Sequence, residues 1–431
     1  MLFAPKKDGS LWFCIDYRWL NKKTVRNQYP LPLPEELLDR LGGSKVFSEI
    51  DLRSGYWQVP LRKEDRKETA FKTRWGLFEY LVVPFGVTNA PAQFMNLMND
   101  VLAQYLDDFV LVFLDDILVF SNSLEEHAEH LRKVFTELRR HHLFAKASKC
   151  EIQTSSVEFL GQWVTPRGMT PTEEKLRAVQ EWEAPANVKG VRSFLGFANY
   201  YRRFVYKFAE IAHPLTELTK KDVAWQWGPT EQGAFLKLKK ALCDAPILLY
   251  PNPEKAYTVV TDASGTTVGR VLMQEENGKL RPPTFMSRAL KPPEQLYSAY
   301  ERELAAVAYC FIQWRHYLEG SPKGVTVVTD HQPLATLMTQ TVTSRVQNRW
   351  LRMGFFPSIN PVIKYQPGKA NIVADALPRS RGREPLGYAA LDAAPQAAPR
   401  QELRPRDGPG RRGPCGPQQP RGPRRPLLRP S

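Results

Sequence analysis

Asp115 and Asp116 stand side by side inside the apolar run Phe109-Val-Leu-Val-Phe-Leu-Asp-Asp-Ile-Leu-Val-Phe120. A buried sheet tolerates neither charge unless something compensates it. The β-branched and aromatic residues on both sides predict two strands, with the Asp-Asp dipeptide as the tip of the hairpin joining them. In a straight strand adjacent side chains point to opposite faces, whereas at a tight turn both can converge on one ion. A divalent cation is the simplest compensation. Mg2+ prefers oxygen ligands and usually takes one or two carboxylates, leaving the rest of its shell to water and substrate phosphates. A third acid ends the short predicted strand Lys45-Val-Phe-Ser-Glu-Ile-Asp51. Two-metal phosphoryl transfer needs acids from separate elements holding ions about 3.5–4 Å apart. Asp51 and Asp115 are the expected shared ligands, with Asp116 in support.

A second acid set is marked by a repeat. Val259-Val-Thr-Asp262 and Val327-Val-Thr-Asp330 are the same tetrapeptide, each an apolar strand closing on an acid. Between them, Ala299 to Leu318 predicts a helix in which Glu303 shares a face with Val307, Cys310, Phe311 and Trp314. A carboxylate on a core-facing stripe is expensive unless a cation meets it. On periodicity alone Glu301 is an alternative. Asp375 lies early in another predicted helix, so strand, helix, strand and helix each offer one acid.

The elements that position these acids belong to a chain of 431 residues, 42% hydrophobic and 24% charged, which implies two to four domains with real cores. Its five cysteines are scattered without a C-x-x-C pair, which supports neither a disulfide framework nor a zinc site and fits a reducing compartment. No apolar stretch approaches the roughly 18 residues of a membrane span, and the first residues lack a signal-peptide core, so no membrane partner is expected. The net charge is +15 and points to a polyanion. Residues 379–431 contain 12 Arg, no Lys and 4 acids, a net +8 set among Pro, Gly and Ala. That composition predicts a disordered tail over 380–431.

Ser48-Glu-Ile-Asp-Leu-Arg-Ser-Gly-Tyr56, Pro84-Phe-Gly-Val-Thr-Asn-Ala-Pro-Ala-Gln-Phe94, Phe113-Leu-Asp-Asp-Ile-Leu-Val-Phe-Ser121 and Val157-Glu-Phe-Leu-Gly161 resemble, in order and spacing, the reverse transcriptases of gypsy-type LTR retrotransposons. Thr261-Asp-Ala-Ser, Glu301-Arg-Glu-Leu-Ala, Thr329-Asp-His-Gln and Tyr365-Gln-Pro-Gly-Lys resemble the ribonuclease H domain that follows the polymerase in that family. The resemblance spans about residues 1–379. It implies an α+β chain: a right-hand polymerase with fingers and palm over 1–165 and a thumb over 166–204. A connection over 205–255 and an α/β ribonuclease H-like domain over 256–379 follow. It further implies that the chain opens inside the fingers, without protease or integrase, and that the product works in the cytoplasm, within virus-like particles, or in the nucleus.

The resemblance also implies roles. The catalytic and metal-binding acids are Asp51, Asp115 and Asp116 in the palm, and Asp262, Glu303, Asp330 and Asp375 in the second site, where the family pattern selects Glu303 over Glu301. Each site takes two Mg2+ ions, with Mn2+ as a substitute. The partners are an RNA template, a DNA primer, an RNA/DNA hybrid and deoxynucleoside triphosphates. Tyr56 falls where an aromatic lies under the incoming sugar. Phe85 and Gly86 line the nucleotide pocket, Lys6, Lys7 and Arg18 approach the triphosphate from the fingers, and Lys149 protonates departing pyrophosphate. Arg192, Arg202 and Arg203, interleaved with aromatics, are expected to meet duplex phosphates.

Tyr105-Leu-Asp-Asp108 copies the retroviral form of the aspartate motif, but no strand precedes it, so it reads as a helix exit. Three departures bear on competence. Trp12 stands where relatives carry a triphosphate-gripping arginine, Trp19 replaces a small residue, and Arg270 replaces a small residue packed in a sheet. The rival reading is a degenerate or host-retained protein that binds nucleic acid without copying it.

Overall fold

The computed structural model describes residues 2–5, 9, 11–338 and 344–367. Lys6, Lys7, Asp375 and the tail over 380–431 lie outside the described residues.

The first sheet is built around the acids. Strand β1 (Val46–Asp51), helix α1 (Ala90–Leu102), strands β2 (Val110–Phe113) and β3 (Asp116–Ser121), helix α2 (Leu124–Arg140) and strand β4 (Glu151–Thr154) form a four-stranded sheet in the order β2-β3-β1-β4, backed by the two helices. Helix α2 starts where Ser123 accepts a hydrogen bond from the Glu126 amide, and it carries Glu125 and Glu126 in its first turn and Arg139 and Arg140 in its last, matching the helix dipole. Its buried stripe, His127, Leu131, Val134 and Leu138, faces the sheet. His127 lies inside a polar clamp: Ser48 Oγ is 2.7 Å from its Nε2 and Ser121 Oγ is 2.8 Å from its Nδ1, so one imidazole ties α2 to both β1 and β3.

Helices α3 (Glu173–Glu181), α4 (Val188–Tyr200), α5 (Phe208–Glu217) and α6 (Pro229–Cys243) follow. The packing draws no boundary at 204/205. Phe194, Phe204, Leu215, Phe235 and Leu238 share one core with palm residues such as Phe47 and with Val271 and Phe285 further on. The expected connection over 205–255 therefore packs with the helices before it, because α4, α5 and α6 bury their apolar faces against one another. Arg203 is too buried to meet a duplex backbone as expected: it is 3% exposed and forms an ion pair, with one guanidinium nitrogen 2.9 Å from Asp39 Oδ1. Arg192 donates to the Thr219 carbonyl at 2.8 Å. Arg192 and Arg202 are both exposed.

The second large sheet comprises β5 (Tyr257–Ala263), β6 (Thr267–Glu276), β7 (Lys279–Ala289), β8 (Val325–Thr329) and β9 (Val362–Tyr365), in the order β7-β6-β5-β8-β9. Helix α7 (Ala299–Gln313) packs against it. The first three strands are antiparallel, while β8 and β9 join in parallel. No helix among the described residues is long and apolar enough to cross a membrane.

Candidate active sites

Asp51 lies directly opposite Asp116 in the antiparallel β1–β3 ladder, and Phe113 is paired with Asp116 across the hairpin. The turn is therefore Leu114-Asp115, one residue earlier than the dipeptide suggested. Leu114 takes the left-handed conformation (φ 55°) and Asp116 is the first residue of β3. Register explains the shift. A tip at 115–116 would slide β3 by one residue and exchange Ile117 and Val119 with Leu118 and Phe120, which are buried in a different core cluster on the opposite face. The turn is held by the Leu114 amide, which donates to Met95 Sδ on α1 at 2.9 Å.

Asp115 Oδ1 is buried without a hydrogen-bond partner. Burial, then the charges of Asp116 and Asp51, push the Asp115 pKa up to about 6, with Lys149 opposing. Burial and Asp51 raise that of Asp116 as well. Lys149, at the end of a short turn, sets its Nζ 2.7 Å from Asp51 Oδ2. The three expected acids and Lys149 are thus one electrostatic group. Sequence reasoning missed Glu49, two residues before Asp51 and so on the same strand face, whose pKa burial and Asp116 push up to about 7. Strand period was the signal that could have found it.

Tyr56 is half-buried beside the cluster, edge-on to Phe85 at 5.3 Å and to Phe94 at 5.5 Å between ring centroids. Burial and Asp115 raise its pKa to about 12. Gly55 makes that approach possible: a Cβ there would stand 3.0 Å from Phe94 Cζ and 3.4 Å from Asp115 Oδ1. Gly86 has φ +93°, so its conformation rather than space requires glycine, and its carbonyl accepts from Asn21 at 2.8 Å. Arg18 is not brought to the acids. It is exposed and grips Asp16 through both carboxylate oxygens, at 2.6–3.0 Å, a hydrogen-bonded pairing that holds the Asp16 pKa down to about 2. Trp12 sits opposite Ala4 in a two-stranded ladder, and Trp19 is exposed with Lys23 over its ring. Asp107 and Asp108 lie in the turn after α1, where Asp107 pairs with Arg40.

In the second sheet the repeated tetrapeptides lie side by side in parallel register, Val259 with Val327 and Val260 with Val328. The two strands therefore deliver Asp262 and Asp330 at the same edge. Glu303, 5% exposed on α7, accepts from the Ala263 amide at 2.9 Å through Oε1, while its Oε2 is buried and unpartnered. Burial, with Asp330 and Asp262, pushes its pKa up to about 7. Glu301 is accounted for otherwise: it closes a capping box with Ser298 at the start of α7. Two residues invisible to sequence reasoning also arrive here, from the expected connection over 205–255. Lys207 Nζ is 2.5 Å from Asp262 Oδ2, and the Tyr206 hydroxyl donates to the same oxygen at 3.3 Å. Gly269, paired with Asp262 across the ladder, leaves room for the Lys207 stem; a Cβ there would meet Lys207 Cγ at 2.8 Å.

Among the described residues no group of three or more His, Cys, Asp or Glu side chains converges closely enough to hold a metal ion as it stands. Instead the ammonium groups of Lys149 and Lys207 each occupy one oxygen of Asp51 and Asp262. The donor chemistry nevertheless fits a hard divalent cation: each site clusters carboxylates and contains one buried carboxylate oxygen with no partner, Asp115 Oδ1 and Glu303 Oε2.

The fold is that of a reverse-transcriptase palm followed by an RNase H-like domain. Residues 4–164 match the family "Reverse transcriptase (RNA-dependent DNA polymerase)" and residues 227–327 match "RNase H-like domain found in reverse transcriptase". The chain is 38% identical over 382 residues to the Transposon Tf2-3 and Tf2-7 polyproteins of Schizosaccharomyces pombe, covering 88% of this chain and 28% of theirs. It thus carries domains of the kind found in a retrotransposon polyprotein and spans little more than a quarter of the length of these relatives. Its fold is similar to that of the foamy viral protease-reverse transcriptase dRH in complex with ds DNA, with a TM-score of 0.73 and 24% identity over 84% of this chain and 64% of that one. The same viral protein in complex with RNA/DNA hybrid gives 0.66 and 24%, over 92% and 52%.

Proposed function

We propose that this chain is an RNA-directed DNA polymerase with an RNA/DNA-hybrid endonuclease, from a gypsy-type retrotransposon polyprotein. The observation that carries the reading is the cross-strand pairing of Asp51 with Asp116 beside the buried, unpartnered Oδ1 of Asp115. Divalent ions, Mg2+ or Mn2+, would be held by Asp51 and Asp115 with Asp116 in support, and when bound they supply charge stabilisation to an attacking primer 3′-hydroxyl and a departing pyrophosphate. The chain's own residues do the positioning. Tyr56, braced by Phe85 and Phe94, offers a ring face to the sugar of the deoxynucleotide, and a 2′-hydroxyl would collide with it. Lys149 carries a proton within reach of the leaving group. In the second site Asp262, Glu303 and Asp330 would hold the ions that act on the RNA strand of the hybrid. Asp375 would complete that set.

Extension of a DNA primer on an RNA template in Mg2+, run beside cleavage of an RNA/DNA hybrid, tests this. Asp115→Asn should lower extension by at least about 10³-fold and leave hybrid cleavage intact. Asp108→Asn should change extension by less than about twofold. Hybrid binding without extension in the unaltered chain would favour the non-copying binder, to which the buried Arg270 lends some weight.

A further inference from the structure

The cavity with most to explain lies between β6, β7, the end of α7 and the Arg202–Phe204 turn. Its volume is ≈ 440 Å3, and its lining includes Arg202, Arg203, Arg270, Arg288, Tyr309 and Trp314. Arg270 is 1% exposed, so its head does not escape to solvent. Its Nη1 meets the Met286 sulfur at 3.4 Å, the guanidinium lies 5.4 Å from the Tyr309 ring centroid and beside the Cys310 thiol, and its Nε and Nη2 have no hydrogen-bond partner. The neighbouring Cys310 offers no charge, since burial pushes its thiol pKa up to about 12. Arg203 spends one nitrogen on Asp39 and leaves Nε and Nη1 unpartnered, whereas Arg288 is neutralised by Glu294 through contacts of 2.6 and 3.1 Å. Glu35 and Glu36 also line the cavity, both exposed, as is Arg202. The deep end is therefore cationic, and among the described residues no carboxylate pairs with Arg270.

We propose that this cavity is an anion site for an oligophosphate, with Arg270 as its innermost contact. A buried guanidinium without a counter-charge costs several kcal/mol, roughly, and its planar fork of donors matches phosphate oxygens. A second partly unpartnered guanidinium and a third at the entrance call for more than one anionic group. The volume is within the range of small-ligand sites. The same chemistry is offered by free pyrophosphate and by the phosphate chain of a nucleotide.

Thermal unfolding and calorimetric titration of the full chain, in EDTA so that the acid sites hold no metal, test the assignment. Pyrophosphate should bind saturably and raise the melting temperature by about 2 °C or more. Arg270→Met, which removes a buried charge, should abolish the shift, and Arg202→Ala should weaken binding about tenfold. If Arg270→Met fails to fold, the Arg202→Ala titration decides. dATP binding much more tightly than pyrophosphate identifies a nucleotide as the source, and equal affinity identifies the phosphates alone. No shift in the unaltered chain, an equal shift in Arg270→Met, unweakened binding by Arg202→Ala, or adenosine binding as well as dATP would overturn it.

Discussion

The two acid sites are built to one plan from different materials. In the palm, Asp51, Asp115 and Asp116 come from one hairpin and the strand beside it, and the lysine on the first acid belongs to the same sheet region. In the RNase H-like domain, Asp262, Glu303 and Asp330 come from two strands and a helix, and the lysine on the first acid arrives from the start of α5, outside the sheet. Each site buries one carboxylate oxygen without a partner. The palm group is thus self-contained, whereas the second site shares its electrostatics with a packed helical segment. A cluster made within one supersecondary unit is fixed by register alone. One made across units depends on how those units dock.

The lysines give the largest way to break that comparison. Lys149→Ala should slow primer extension about 10²-fold or more, as expected for loss of a general acid. Lys207→Ala should leave hybrid cleavage undiminished and tighten Mn2+ binding at the second site, measured by calorimetry. Equal and same-signed effects would mean that the two lysines play one role.

Glycine substitutions sharpen the point on stability. Gly55→Ala drives a Cβ against the fully buried Phe94 ring and should cost about 1–3 kcal/mol in denaturant unfolding. Gly269→Ala would put a Cβ 2.8 Å from Lys207 Cγ, so the lysine must change rotamer and give up Asp262, at a cost of about 1 kcal/mol, with no core ring displaced.

The smallest effect is the pH dependence that His127 contributes in the palm. Burial, with His130 nearby and Glu126 opposing, lowers the His127 pKa below its ordinary 6.5. At this group the unfolded chain binds more protons than the folded one, so its contribution to stability is present above about pH 6.5 and is lost as pH drops below that value. Between pH 7.5 and 5.5 the raised carboxyls of Glu49, Asp115 and Glu303 favour the folded state as pH falls, so the His127 contribution is read as a difference: denaturant midpoints should rise less, or fall more, in the unaltered chain than in His127→Gln, and parallel curves would contradict it.

How much was legible follows the same division. The hairpin, the β1 acid and the VVTD repeat could be read because strand period and turn length act over a few residues. Even so, the turn was off by one, since cross-strand register with β1 decides it. Glu303 was legible as a charge on an apolar helix face, and Glu301 as its capping neighbour only once Ser298 was seen to receive it. Lys207, Tyr206 and the Arg203–Asp39 pair were not legible, because each joins residues more than fifty positions apart through docking of α4 and α5. Arg270 was legible as a charge in place of a small sheet residue, but the cavity that its head faces, formed by β6, β7, α7 and the Arg202–Phe204 turn, was not.

Anomalous diffraction from crystals grown in Mn2+ with a primer–template and a non-reactive nucleotide tests the central claim most directly. Manganese peaks bonded to Asp51 and to the Asp115 oxygen that now lacks a partner, with Lys149 displaced from Asp51, are the predicted result. Peaks at Asp107 and Asp108, or a Lys149–Asp51 contact that persists with no metal on Asp115, would contradict it.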